Sequence, residues 1–113
     1  MIVKINGVKW EIMWVKKGSK KLFCDDTQCL GVTYFDKKRI YLDRGLSEKV
    51  FEETTVHELT HAFLYGYGVE LNEENNIEET ICDFIGMHIK KILKLTSKIV
   101  KVWKVEMMVK AFY

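Results

Sequence analysis

Residues 47–66 read SEKVFEETTVHELTHAFLYG, and this stretch decides the fold. Ser47 suits a helix N-cap, Glu48 suits the first turn, and Gly66 with Gly68 supplies the stop. Between them Val56, Leu59 and Phe63 mark one side, while Val50, Thr54 and Leu64 flank the side that carries His57 and His61. A helix with two apolar sides belongs in the middle of a domain. Upstream, Ile2 to Ile5, Asn6-Gly7 and Val8 to Val15 read as a hairpin, because Asn-Gly accepts the positive φ that a two-residue turn needs. Trp10, Ile12 and Trp14 then share one face. Gly31 to Phe35 and Arg39 to Asp43 read as a second strand pair across Asp36-Lys37-Lys38, and residues 16–30 as polar and irregular. Downstream, a second helix is expected from near Asn72–Asn76 to about Leu95, since Ile77, Ile81, Phe84, Ile85, His88, Ile89 and Ile92 fall on one arc. In residues 96–113 the valines favour strand and the lysines at 98, 101 and 104 favour helix; the reading leans to helix. The expectation is an α+β fold: one domain over residues 1–113, with a small antiparallel sheet of two hairpins packed on a central helix and a second helix.

The chain has 113 residues, 48% of them hydrophobic, which suits a single modest core. No apolar run approaches the roughly 18 residues of a membrane span, and Lys4 and Lys9 interrupt the apolar stretch that a signal peptide requires. Cys24, Cys29 and Cys82 cannot all pair, so a reducing cytoplasm is expected. The net charge of +2 conceals +5 over residues 1–46, −9 over 47–83 and +6 over 84–113. The acidic block holds two of the three histidines, which suggests carboxylates serving a cation. The basic end reads as a solvated helix face with Trp103 packed beneath it, so nucleic acid is not the expected partner.

His57-Glu58-Leu59-Thr60-His61 carries the chemistry. Histidines four apart lie one turn apart on one helix face, so both imidazoles can reach one zinc ion about 2.0–2.1 Å away. Glu58 lies about 100° round the helix, where it can take a proton from a metal-activated water. A catalytic zinc needs a third protein ligand. The position six residues after His61 is Tyr67, not histidine, and His88 falls inside the apolar arc and reads as core. Glu78 and Glu79 remain. Cys24 and Cys29 read as ordinary thiols in a polar loop, and Cys82, beside the apolar arc, as core.

The block from His57 to Ala62 resembles the active-site helix of thermolysin-type gluzincins. The block from Ile77 to Gly86 resembles their second ligand-bearing helix, in which a glutamate is followed one turn later by an aspartate. The resemblance implies His57, His61 and Glu79 as zinc ligands, Glu58 as general base, and Asp83 as the acceptor that orients His57. Helical phase instead puts Glu78 within the apolar arc; Glu79 is preferred because it alone has an acid four residues on. Size and element order also resemble the minimal zinc peptidases of phage and mobile elements related to the ImmA/IrrE type. The likeness to zincins further implies a peptide substrate paired in extended form along an edge strand at Arg39–Asp43, with a protein partner supplying any specificity. Tyr65 and Tyr67 are placed to donate to an oxyanion, helix-end packing being their competing role. The rival functions are a zinc-stabilised interaction or nucleic-acid-binding module without turnover, and a metal-free helical protein.

Overall fold

The computed structural model describes residues 1–71 and 76–112. Strands β1 (Ile2–Ile5) and β2 (Val8–Val15) form the expected hairpin. Asn6 and Gly7 both take positive φ, 49° and 76°, as that turn demands. The register sets Val3 opposite Trp10, and the buried residues Val3, Ile5, Trp10 and Ile12 form one apolar face. Residues 16–30 are not irregular throughout. A 3-10 turn (Lys20–Leu22) leads into a two-stranded ribbon, β3 (Phe23–Cys24) with β4 (Thr27–Gln28). Strands β5 (Gly31–Tyr34) and β6 (Arg39–Asp43) follow as an antiparallel pair.

The expected pair of hairpins is joined in a way local patterns do not reveal. The sheet order is β1-β2-β6-β5, and β2 pairs with β6 in parallel. Arg39–Asp43 is therefore not an edge strand, which corrects the expectation for substrate binding. It is paired on both sides, and Ile40, Tyr41, Leu42 and Asp43 are all buried, as a strand covered on both faces requires. The strand with a free edge on that side of the sheet is β5.

Helix α1 (Glu48–Gly66) begins where expected: the Ser47 hydroxyl accepts from the Val50 N–H at 3.4 Å. It ends before Gly68, which takes φ 65°. Its buried residues face two neighbours. Thr54 and Glu58 meet β5, while Phe63 meets the second helix through His88, with ring centroids 5.7 Å apart.

Helix α2 (Ile77–Phe112) absorbs the segment that propensity left ambiguous. Its 36 residues, at about 1.5 Å each, match the 52 Å length of the molecule. Burial overrides the β-preference of the valines here. Ile99, Val100 and Trp103 are buried, and Trp103 stacks on Phe51 with centroids 4.2 Å apart. The Trp103 indole N–H donates to the Arg44 carbonyl at 3.0 Å, and that of Trp14 donates to the Glu106 carboxylate at 2.8 Å. At the other end, the Asn76 side chain accepts from the Glu79 N–H at 3.3 Å and caps the helix. The expected start within residues 72–75 lies outside the described residues. His88 is core, as expected, packed among Phe63, Tyr67 and Phe84. Cys82 is exposed rather than core, because the arc it borders is itself exposed at Ile81 and Ile85. No helix among the described residues is long and apolar enough to cross a membrane.

Candidate metal centre

The 19-residue helix α1 places His57 and His61 one turn apart, and their Nε2 atoms stand 3.2 Å from each other. One ring donates to the other at that distance. The same separation is that of two nitrogen ligands on one tetrahedral zinc, since two Zn–N bonds of about 2.0–2.1 Å span roughly 3.3 Å. Both rings face solvent, His57 with 69% of its side chain exposed, so an ion has access without rearrangement of α1. The pair fits the metal that the motif implies.

Unlike the two histidines, Glu58 is buried. Its Oε1 accepts from the Thr33 hydroxyl at 2.9 Å, while Oε2 lies 3.9 Å from His57 Nε2. One oxygen is thus tied to β5 and the other is turned toward the histidines. Gly31 permits this approach. A Cβ there would sit 2.9 Å from Glu58 Cγ and 2.9 Å from Thr54 Cγ2, so close that these neighbours would have to shift.

A cleft of about 470 Å³ opens beside the pair, and Cys24, Cys29, Glu53, His57, Glu58 and His61 are among the residues that line it. The two cysteines are what sequence reasoning missed. In the ribbon register Cys24 lies opposite Thr27 and Phe23 opposite Gln28, so Cys24 and Cys29 are diagonal neighbours on one face. Their contact is felt in the thiol of Cys24: the hydrogen bond with Cys29, then burial, then the negative charges of Cys29, Glu58 and Asp25 push it up to about 11. The available signal was a pair of cysteines separated by four residues, upstream of paired histidines, a spacing common among zinc sites.

The remaining expected residues are distributed unevenly. Tyr65, one turn beyond His61, is not among the residues that line the cleft; it is tilted on Phe35 at 5.0 Å, and Phe35 meets the edge of His61 at 6.5 Å. The Lys38 ammonium stands 3.4 Å from the Tyr65 hydroxyl. Tyr67 is not brought to the pair. It stacks on Phe63 and packs at a tilt against His88, on the α2 side of the helix. Glu78, Glu79 and Asp83 are exposed in the first two turns of α2, where the two glutamates complement the helix dipole. Among the described residues no three His, Cys, Asp or Glu side chains are gathered closely enough to hold an ion together, so Glu79 does not join the histidines in this arrangement.

Compared with protein-family models, with curated proteins and with solved structures, the chain matches none.

Proposed function

We propose that the chain is a zinc-dependent metallopeptidase working in the cytoplasm, with His57 and His61 as ligands and Glu58 as general base. The observation that carries this reading is the state of Glu58: buried, fixed through one oxygen by Thr33, and turned with the other toward His57. A module that used zinc only for stability would have no use for a carboxylate held in that way. Bound by the two histidines, zinc would bring the pKa of a water down to about 7 and polarise a carbonyl. Glu58 accepts the proton at Oε2 and passes it to the leaving amine, while Thr33 keeps its carboxylate from turning away. Tyr65, whose ring packs on the Phe35 that meets His61, is the residue proposed to hydrogen-bond an oxyanion. The free edge of β5, which carries Thr33 on its α1 side, replaces Arg39–Asp43 as the strand that pairs with an extended peptide.

Metal analysis of the purified wild type and Glu58→Gln, followed by cleavage of a peptide library, tests the proposal. Both proteins are expected to carry one zinc, with cleavage by the wild type reduced in the variant by about 10²–10⁴-fold. Zinc in both with cleavage by neither would replace the peptidase by a zinc-stabilised interaction module.

A further inference from the structure

At the opposite edge of the sheet from β5, a second cleft of about 400 Å³ lies between the β1–β2 turn, the end of α1 and the middle of α2. Lys4 of β1 lines it together with Lys91, Lys94 and Lys98 of α2, and no acidic side chain among the described residues does so. Tyr67, packed on Phe63 and His88, forms its α1 wall. The cleft shares no lining residue with the one beside His57 and His61, so it is independent of the metallopeptidase reading.

The charge gathered here is uncompensated. Farther along α2, Lys104 meets Glu48 at 2.9 Å and Lys110 meets Glu106 at 3.6 Å. Among the described residues no such pair involves the four cleft lysines. A solvated helix face does not account for the arrangement, because Lys4 arrives from the other end of the chain and already stands opposite Lys9 in the hairpin register. Like charges directly opposite on a sheet, or one turn apart on a helix as at Lys94 and Lys98, are each destabilising. On α2 the three lysines fall within an arc of about 60° and span about 10 Å of helix axis. They form a short row of cations along one wall, with a fourth on the strand across the cleft.

We propose that this cleft binds linked phosphate groups, supplied by a free polyphosphate or by the backbone of a single nucleic-acid strand. Ammonium groups are compact point charges with three donors, which suits phosphate oxygens without fixing a direction. A ligand with several adjacent negative charges offsets the repulsion among all four lysines, which a single carboxylate does not.

Fluorescence anisotropy of a labelled single-stranded oligonucleotide, with inorganic triphosphate as competitor, tests the proposal on the whole chain. For the wild type, log affinity should fall against log salt by about 0.7 per phosphate neutralised, or about 3 for four lysines. The triple variant Lys91→Ala, Lys94→Ala, Lys98→Ala should lower that slope to about 1 and weaken binding at low salt at least about tenfold, while arginine at the same three positions should preserve both. The three side chains are exposed and alanine favours helix, so the variant keeps its fold. A control, Lys16→Ala, Lys17→Ala, Lys37→Ala, removes the same charge from exposed positions outside the cleft and should weaken binding less than about threefold. Displacement of the strand by triphosphate, dependent on the same lysines, supports the proposal with a free polyphosphate as ligand. A strand retained against excess triphosphate supports it with a nucleic-acid backbone. Equal losses in the two alanine variants, or no binding of either probe by the wild type, would overturn it.

Discussion

One substitution made at two glycines should move stability in opposite directions. At Gly31 an added Cβ lies 2.9 Å from Glu58 Cγ and from Thr54 Cγ2, and 3.2 Å from Leu42 Cδ2. Carbon contacts settle at about 3.5–4.0 Å, so two neighbours must retreat by roughly 0.6–1 Å. All three belong to buried side chains, and Glu58 is further tied by its bond to Thr33. Overpacking of this kind costs about 1–3 kcal/mol. The loss of unfolded-chain freedom returns about 0.4–1 kcal/mol, leaving Gly31→Ala destabilised by about 1.3 kcal/mol at the middle of the two ranges. At Gly86, inside α2, a Cβ meets nothing within 4 Å. Alanine there should stabilise by about 0.8–1 kcal/mol, the helix-propensity difference. Urea unfolding followed by the three tryptophans reads both, with unchanged dependence on urea concentration showing that the same surface is exposed. If Gly31→Ala matched the wild type or shifted with Gly86→Ala, then β5 does not cross α1 at Glu58, and the account of how that carboxylate is held fails.

Thr33→Val removes the hydroxyl that holds Glu58 while keeping the shape of the side chain. Turnover should fall about 10–100-fold, a bond to a charged group being worth about 1.5–3 kcal/mol, while zinc content stays unchanged; equal turnover would remove Thr33 from the proposed mechanism. Trp103→Ala should lose about 3–5 kcal/mol of unfolding free energy, because the ring is buried on Phe51 and its N–H is used by Arg44. Lys104→Ala, which breaks the exposed 2.9 Å pair with Glu48, should cost under about 1 kcal/mol in the same denaturation experiment.

What could be read from the sequence was whatever local chemistry decides. Asn6-Gly7 specified its turn through φ, Ser47 specified a helix start through its hydroxyl, and the spacing of His57 and His61 put two imidazoles on one face. What could not be read depends on distant partners. The parallel pairing of β2 with β6 leaves no periodic trace, so Arg39–Asp43 passed for an edge. The valines of α2 signal strand until Phe51 and Trp14 are known to lie beneath Trp103 and beside Glu106. Cys24 and Cys29 passed for loop thiols because only the fold brings the ribbon to the cleft that His57 and His61 also line. At Glu79 the motif and the arrangement part: its backbone N–H caps onto Asn76 while its carboxylate faces solvent.

The length of α2 also orders events during synthesis. Trp14 bonds to Glu106, 92 residues later, and the Arg44 carbonyl bonds to Trp103, 59 residues later. Contacts of such separation form only after their loops close, and a ribosome delivers residues from the N-terminus onward. The sheet and α1 therefore emerge with the Phe51 ring and the Trp14 indole uncovered, and they stay so until Ile99 to Glu106 have been made. A nascent chain that already contains His57, Glu58 and His61 still lacks the residues that cover its core.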